Sequence, residues 1–292
     1  MNPSGPALEL RDVRRQFGSV LALDEASLVV APGTLHVLLG ENGAGKTTML
    51  RIAAGLDRAD AGTVRVEGRA ADGHRGAIDT RQIAVVSQHH SLIRAMTVAE
   101  NVALNRRGVL ARFNKLANAR AVADLAARAG LPVDPLARVT DLPVSAQQRV
   151  EILKAMAAEP RILVLDEPTA VLAPPETEEL FAWLRRFVST GGTAVVITHR
   201  LRDALRHADA ITVLRRGRSV LVTTPSMTTE AQLVGAIVGD VGAAATPPSV
   251  SQSRRTTGPP VLAVRGATIV RSGVVALRDV NLEVGPGELV GV

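Results

Sequence analysis

The amino-acid sequence predicts an α/β fold with a mainly parallel sheet and an inserted helical subdomain. Short apolar runs, which are typical of buried strands, alternate along the chain with helical patterns. Between residues 97 and 158 the pattern is helical without a strand signal, which indicates the insertion. Of the 292 residues, 46% are hydrophobic and 21% are charged, a balance typical of a folded globular chain.

The N-terminal elements are expected to be strands followed by one helix. Residues 8–30 alternate apolar and polar side chains around a turn at Gly18-Ser19, which predicts two strands. The apolar run at 35–39 predicts a buried strand, and a helix is expected to begin at Lys46 and end near Ala54. Two shorter strands are predicted at residues 62–66 and 83–86.

The elements after the helical insertion restore the strand–helix alternation. Apolar runs at 162–165 and 194–197 predict two more buried strands, and a helix is predicted between them at 176–189. Residues 241–260 are rich in Pro, Ser, Thr and Ala without periodicity, which predicts a linker.

An internal repeat indicates the domain organisation. Shifting the chain by 254 positions aligns residues 262–292 with residues 8–38 without a gap, and Pro32-Gly33 then matches Pro286-Gly287. We therefore expect one complete domain at 6–240, a linker at 241–260 and the start of a second domain at 261–292. Because some thirty residues do not complete a core, the chain is expected to be a fragment or a truncated product of a tandem protein.

The strongest functional motif is a phosphate-binding loop that follows the strand at 35–39. The pattern G-x-x-x-x-G-K-[ST] is matched by Gly40, Glu41, Asn42, Gly43, Ala44, Gly45, Lys46, Thr47 and Thr48. Its glycines allow backbone N–H groups to surround a phosphate at a helix N-terminus. Lys46 is one of only three lysines in an arginine-rich chain, and its compact ammonium suits the β- and γ-phosphates. The Thr47 hydroxyl is a predicted ligand of Mg²⁺.

Polar residues end three other predicted strands. Asp166 and Glu167 follow the run at 163–165, His199 follows the run at 194–197, and Gln88 ends the run at 83–87. Because strand carboxyl ends gather at the ligand edge of an α/β sheet, we expect these side chains to lie beside the phosphate loop. Asp166 then suits Mg²⁺, Glu167 suits a hydrolytic water, and His199 and Gln88 suit the γ-phosphate. Gln88 is also a candidate ligand of Mg²⁺. Phe17 is a candidate for stacking on adenine, although a core role is nearly as well supported.

The order of these motifs resembles the ATP-binding subunit of ABC transporters. The phosphate loop, Gln88, the helical insertion, L-P-V-S-A-Q-Q-R, L-V-L-D-E-P-T and T-H follow one another within residues 6–240. The segments QQRVEILKAM, DEPTAVLAPPE and ITHRLRDAL resemble tandem-cassette importers of simple sugars and purine nucleosides. The pattern DEPTAVL-x-P-x-E favours a nucleoside over a sugar.

This resemblance implies a P-loop NTPase cassette with a parallel core sheet, an antiparallel β subdomain and a helical subdomain. It implies an ATP-hydrolysing transport subunit at the cytoplasmic face of the cell membrane, with ATP and Mg²⁺ as cofactors. The implied partners are permease membrane subunits, a second cassette and, indirectly, an extracellular solute-binding protein. The residues that match the family's ATP, Mg²⁺ and hydrolysis positions are Lys46, Thr47, Gln88, Asp166, Glu167 and His199.

The sequence departs from the family pattern L-S-x-G-[EQ], which contacts the ATP of the opposing cassette. Here the segment reads Leu142-Pro143-Val144-Ser145-Ala146. Pro143 lacks both the serine hydroxyl and a backbone donor, and Ser145 replaces the glycine that permits close approach. We expect the double change Pro143→Ser with Ser145→Gly, made in the tandem protein, to raise ATP turnover at the site that this segment completes. Ser145 and Gln148 together predict a capping box for the following helix.

Composition excludes several classes of function. The absence of cysteine excludes disulfides and thiol nucleophiles, and no stretch of about 20 apolar residues predicts a membrane-spanning helix. The net charge of +6 is spread along the chain with only 2% aromatic residues, so nucleic acid is not an expected partner. Two alternatives stay open: a tandem ABC protein that acts on the ribosome, and a weakly hydrolysing nucleotide-binding scaffold.

Overall fold

A computed structural model describes residues 5–70, 82–87, 91–104, 115–239, 259–271, 274–288 and 290. The chain divides into two units, Met1–Gly239 and Asp240–Val292. The strands described in the first unit are β1 (Leu8–Phe17), β2 (Val20–Val30), β3 (Leu35–Leu39), β4 (Ala61–Val66), β5 (Arg69–Ala70), β6 (Ile83–Val86), β7 (Ile162–Asp166), β8 (Thr193–Thr198), β9 (Ala210–Arg215) and β10 (Arg218–Thr223). The helices described there are α1 (Lys46–Ala53), α2 (Val98–Ala103), α3 (Lys115–Ala129), α4 (Val144–Met156), α5 (Pro174–Ser189), α6 (Leu201–His207) and α7 (Glu230–Val238).

The main sheet has the strand order β10-β9-β3-β8-β7-β6, and all its neighbouring pairs except β10–β9 are parallel. Every residue of β3, β7 and β8 is buried, which explains their nearly continuous apolar sequences. The register pairs Leu39 with Thr198 and Asp166 with Ile197. The carboxyl ends of β3, β8 and β7 therefore lie side by side at one edge of the sheet.

A second, antiparallel sheet has the order β2-β1-β4-β5. Its buried residues, such as Leu8, Leu10 and Leu28, pack with α1 and with Leu38 from one face of the main sheet. The opposite face of the main sheet packs against the helices in a second core cluster, which includes Val37 and Phe181. The prediction of a parallel core sheet, an antiparallel β subdomain and a helical insertion is confirmed.

The helical insertion comprises α2, α3 and α4 in the described residues. Helix α2 begins after Thr97, whose hydroxyl accepts from the Glu100 amide at 3.2 Å while the Glu100 carboxylate accepts from the Thr97 amide at 2.7 Å. Helix α3 is tied to α5, because the indole Nε1 of Trp183 donates to the carbonyl oxygen of Ala129 at 2.6 Å. Across the described residues, no helix is long and apolar enough to cross a membrane.

The second unit contains a hairpin that repeats the first one. Strands β11 (Leu262–Arg271) and β12 (Val274–Val284) pair antiparallel, with Leu262 opposite Val284. This register equals the pairing of Leu8 with Val30 after the shift of 254 positions. The sequence repeat is therefore also a structural repeat, whereas the predicted linker lies largely outside the described residues and its bounds stay a prediction.

One ionisable side chain, His36, lies within the core of the main sheet. His36 on β3 is 1% exposed, and its Nε2 lies 2.8 Å from the hydroxyl oxygen of Thr212. Among the described residues, no hydrogen-bond partner is found for its Nδ1. Burial lowers the pKa of His36 from 6.5 to about 4, so the folded protein holds this ring neutral.

We expect acid to destabilise the protein through His36. In the unfolded chain this ring takes up its proton near pH 6.5, but in the folded chain only near pH 4. The contribution of the neutral His36 ring to the free energy of unfolding is therefore complete above pH 6.5. It is lost as the pH falls toward 4, because the unfolded state binds the proton first. The free energy of unfolding should fall by about 3 kcal/mol more than in a His36→Gln variant. Urea unfolding of the wild-type protein and of His36→Gln, above pH 6.5 and near pH 4, measures the difference. Equal losses of unfolding free energy in the two proteins contradict the prediction.

Candidate functional site

The phosphate loop connects β3 to α1 in the conformation that its glycines permit. Gly45 has a φ of 101° and stands at the N-cap of α1. A Cβ at Gly40 would collide with the carbonyl oxygen of Leu214, and one at Gly45 would collide with that of Ala22. The loop is also anchored from outside, because the Gly217 amide donates to the carbonyl oxygen of Ala44 at 2.9 Å. Gly40 and Gly45 are therefore required both for backbone conformation and for space.

Lys46 lies beneath this loop and is 6% exposed. Its Nζ donates to the carbonyl oxygens of Gly40 at 2.7 Å and of Glu41 at 2.8 Å. Burial lowers the pKa of Lys46, and the nearby carboxylates of Glu167, Asp166 and Glu41 oppose that shift. Lys46 is the first residue of α1. Both its ammonium group and the dipole of the helix favour an anion at this end of α1.

Asp166 and Thr47 meet although they come from distant parts of the chain. Asp166 ends β7 and is 8% exposed, and Thr47 is the second residue of α1. The Thr47 hydroxyl donates to a carboxylate oxygen of Asp166 at 3.0 Å. Two oxygen ligands of the kind that Mg²⁺ prefers are thus adjacent to the phosphate loop.

Glu167 and His199 form the second pair of the site. His199 Nδ1 lies 3.0 Å from both carboxylate oxygens of Glu167. The Glu167 side chain is 8% exposed, whereas that of His199 is 60% exposed. Glu167 has a φ of 50°, a left-handed conformation that is uncommon for a residue other than glycine. Its amide donates to the carbonyl oxygen of Ile197 at 3.0 Å, which holds this turn on β8.

The other predicted site residues differ in their exposure to solvent, and one of them lies outside the described residues. Phe17 ends β1, is 44% exposed, and has the guanidinium carbon of Arg15 4.6 Å from its ring centroid. Its exposure argues against the alternative core role. Glu41 and Asn42 are exposed on the loop, and Thr48 is half-buried in α1. Gln88 lies outside the described residues.

One contact that supports the Glu167–His199 pair is not predictable from the sequence motifs. The Thr169 hydroxyl, which is buried, donates to the carboxylate of Asp203 at 3.3 Å. This bond joins the turn after Glu167 to α6, the helix that follows His199. The acidic residue in the first turn of α6 is a sequence signal for its helix N-terminus, but not for this contact.

The capping box predicted for Ser145 and Gln148 is wrong. Helix α4 begins at Val144 with Pro143 as its N-cap and no side-chain cap. The Gln147 amide donates to the Pro143 carbonyl oxygen at 3.0 Å, so the helix starts before Ser145. The Ser145 side chain instead lies near the carboxylate of Glu176 at the start of α5. The Ala173 amide and the Ser145 hydroxyl both hold the pKa of Glu176 below its usual value.

Comparison with known proteins places these observations in a family context. Residues 23–170 match the family model described as ABC transporter. The chain is 40% identical over its full length to a ribose import ATP-binding protein of Streptomyces avermitilis, of which it covers 55%. Over 98% of its length it is 36% identical to a nucleoside import ATP-binding protein of Lactococcus lactis, of which it covers 56%. The chain thus spans about half the length of these curated relatives.

Solved structures give a similar result for the fold. A nucleotide-free ATP-binding cassette from an ABC transporter has a TM-score of 0.68 at 21% identity, covering 81% of this chain and 96% of its own. A dimeric ATP-binding cassette bound to ADP and Pi has a TM-score of 0.64 at 26% identity, covering 75% of this chain and 98% of its own.

Proposed function

The chain belongs to the ABC transporter family, and from this premise we propose that it is the ATP-hydrolysing subunit of an importer for simple sugars or nucleosides. The observation that carries the proposal is the convergence of two polar pairs at one sheet edge. Thr47–Asp166 and Glu167–His199 both lie beside Lys46 and the phosphate loop. A binding scaffold needs the loop, but it does not need a buried carboxylate held by a histidine.

In the proposed mechanism, the loop amides and the N-terminus of α1 bind the phosphates of ATP. Lys46 exchanges its bonds to the Gly40 and Glu41 carbonyl oxygens for phosphate oxygens. Its burial strengthens this attraction, because water screens the charges less there. Phe17 is the candidate for stacking on adenine, since its ring is partly exposed. The guanidinium group of Arg15 lies over this ring.

The donor set fits Mg²⁺. Thr47 and Asp166 supply hard oxygen ligands, and Gln88 is the further ligand proposed from the sequence. Among the described residues, no group of three acidic or histidine side chains forms a closed metal cage. When bound, Mg²⁺ supplies charge neutralisation of the β- and γ-phosphates.

Glu167 is proposed to orient the attacking water and accept its proton. Its buried oxygen Oε2 lies 3.0 Å from His199 Nδ1 but accepts no hydrogen bond within the described part of the chain, and this oxygen is the proposed proton acceptor. His199 contacts the carboxylate from the exposed side. Its proposed role is a contact with a γ-phosphate oxygen. The bond between Thr169 and Asp203 fixes the turn after Glu167 relative to helix α6, which follows His199.

The importer role comes from the relatives, which include ribose, glucose and nucleoside import ATP-binding proteins. Because both solute classes occur among them, the preference for nucleosides over sugars stays a prediction. The proposed partners are permease membrane subunits, a second cassette and, indirectly, an extracellular solute-binding protein. The proposed location is the cytoplasmic face of the membrane.

Cell fractionation tests the importer proposal against the ribosome alternative. We expect the tagged protein to sediment with membranes and to be released by a urea wash, as a peripheral subunit would be. Sedimentation with ribosomes in sucrose gradients, insensitive to detergent, would contradict the proposal. The variant Lys115→Met removes one exposed positive charge from α3 and serves as the control. It should sediment like the wild-type protein, since it alters only surface charge.

A further inference from the structure

A cleft of about 420 Å³ lies between α4 and α5, and we call it the α4–α5 cleft. Its lining includes no residue of the phosphate loop and none of Asp166, Glu167 and His199. Each helix contributes one face, on which the lining residues recur at helical spacing. They are Ser145, Gln148, Arg149 and Ile152 on α4, and Glu176, Glu179, Leu180, Trp183 and Arg186 on α5. The volume lies within the range of about 300–1,000 Å³ that is usual for small-molecule sites.

The walls of the α4–α5 cleft are mostly apolar. The apolar lining residues that are at most 8% exposed are Leu131, Ile152, Leu172, Leu180 and Trp183. Trp183 is fixed in place, because its Nε1 donates to the Ala129 carbonyl oxygen at 2.6 Å and its ring stacks on Phe187 with the centroids 5.8 Å apart. Its polar atom is thus already bonded, so Trp183 offers the cleft an apolar surface. A slot with such walls between two helices suits a flat ring.

One buried polar group lines this apolar cleft without a partner. Gln148 is 8% exposed, and no hydrogen bond of its side-chain amide is found within the described part of the chain. Its neighbour Gln147 differs, because its Nε2 donates to the Leu142 carbonyl oxygen at 2.8 Å. A buried amide that has lost water without gaining a partner is unfavourable. A ligand hydroxyl would satisfy the Gln148 amide, which can both donate and accept.

The charges around the cleft leave one cation without a counter-ion. Arg149 forms an ion pair with Glu179 at 3.3 Å. Glu176 accepts a backbone amide hydrogen at the N-terminus of α5, where the helix dipole favours a carboxylate. Arg186 makes no ion pair with any residue that the structure describes. Its Nη2 lies beside Gly130, 3.9 Å from the place that a Cβ would take there. An anionic ligand group is therefore favoured at Arg186.

Gln148 and Arg186 mark opposite ends of the apolar part of the cleft. Gln148 is adjacent to Arg149, which bonds Glu179, whereas Arg186 comes seven residues after Glu179 on α5. Seven residues of helix rise about 10 Å. A ligand carboxylate at Arg186 is therefore separated from Glu179, while the long side chains of Gln148 and Arg186 can approach the two ends of one substituted ring.

We propose that the α4–α5 cleft binds a small aromatic acid, with a carboxylate at one end of a flat ring and a hydroxyl at the other. The carboxylate pairs with Arg186, and the hydroxyl bonds the amide of Gln148. The ring packs between Ile152 of α4 and the side chains of Leu180 and Trp183 of α5. The proposal is independent of ATP hydrolysis, because these residues take no part in the phosphate site.

The only tryptophan of the chain reports binding directly, since Trp183 lines the cleft and the chain has no tyrosine. The probe is 4-hydroxyphenylacetate, titrated into the full chain without nucleotide, with N-acetyltryptophanamide as the correction for light absorbed by the probe. We expect a saturable change in tryptophan fluorescence with a dissociation constant below about 1 mM, a modest affinity suited to so small a ligand. Calorimetry with the same probe detects binding that leaves the fluorescence unchanged. Absence of saturation in both measurements overturns the proposal.

The place of the carboxylate is tested with Arg186→Gln. This variant should bind 4-hydroxyphenylacetate about tenfold more weakly, because a charge-assisted bond is lost. The neutral 4-hydroxyphenylacetamide should bind the variant and the wild type equally. Arg202→Gln is the matched control, since Arg202 is an exposed arginine of α6 outside the lining, and it should bind the acid like the wild type. Unchanged binding of the acid in Arg186→Gln, or equal losses for the acid and the amide, overturns the proposal.

The place of the hydroxyl is tested with Gln148→Leu, which keeps the approximate size of the side chain and removes its hydrogen bonding. The variant should bind 4-hydroxyphenylacetate about fivefold more weakly but phenylacetate, which lacks the hydroxyl, as tightly as the wild type does. Its melting temperature without ligand should not fall, because the amide has no partner to lose. If the variant unfolds, Gln148→Met makes the same test. Equal losses for the two acids in a folded variant, or no loss for either, overturn the proposal.

Discussion

Replacing Glu167 by glutamine is expected to slow ATP hydrolysis about 10²- to 10⁴-fold, the usual contribution of a general base. The amide has nearly the same shape as the carboxylate and can still accept a hydrogen bond from His199, so the turn after β7 should persist. It cannot accept a proton from water. ATP affinity should therefore stay within about twofold, since the phosphate contacts of Lys46 and the loop are unchanged.

The measurement is the nucleotide that remains bound after incubation with ATP and Mg²⁺, analysed together with phosphate release. The variant should retain ATP, whereas the wild-type protein should contain ADP. Glu159→Gln is a matched control, because Glu159 is an exposed glutamate with a similar left-handed backbone, at a φ of 51°. Equal hydrolysis in wild type and Glu167→Gln would contradict the mechanism and favour the nucleotide-binding scaffold.

Replacing Lys46 by alanine is expected to weaken ATP binding by about 2–5 kcal/mol, the usual loss when one partner of a buried charge pair is removed. The ammonium is 6% exposed and lies beside the loop that receives the phosphates, so water cannot easily replace it. Lys46→Arg should bind ATP poorly too, because a planar guanidinium does not fit where a compact ammonium bonds two carbonyl oxygens at 2.7 and 2.8 Å.

Calorimetric titration with ATP measures this loss. Lys115→Ala provides the control, since Lys115 is an exposed lysine at the start of α3. A Lys46→Ala affinity within about threefold of wild type, a loss below about 0.7 kcal/mol, would show that the phosphates bind elsewhere if the melting temperature is unchanged. Loss of ATP binding in the Lys115 variant as well would point to unfolding of the helical insertion rather than to the phosphate loop.

Some parts of the fold were predictable because their signals are local. The strand at 83–86 was predicted with the observed bounds, and α1 ends one residue before the expected Ala54. Helix α5 begins at Pro174, two residues earlier than expected, since proline fits the first turn of a helix. No element was predicted from the residue pattern for β9 or β10. Strand β10 alternates exposed and half-buried residues at the sheet edge and thus lacks the continuous apolar run of a central strand.

The start of α4 shows where a local rule gives the wrong answer. Ser145 followed by Gln148 satisfies the capping-box pattern, yet helix α4 begins at Val144 without a side-chain cap. The Ser145 side chain lies near the carboxylate of Glu176 in α5, and sequence spacing does not reveal this proximity. The signature-like segment therefore differs from the family pattern in its residues and also lies near helix α5.

The sequence by itself determined the chemistry of this protein. The proposed phosphate binding rests on Gly40–Thr48, a contiguous motif whose glycines and lysine lie within one loop and one helix turn. The tertiary structure decided which distant residues act together. It placed β8 between β3 and β7, so that Thr47 meets Asp166 across 119 residues and Glu167 meets His199 across 32. Strand order and register arise from the burial of both faces of the sheet, a property of the whole chain that no short motif contains.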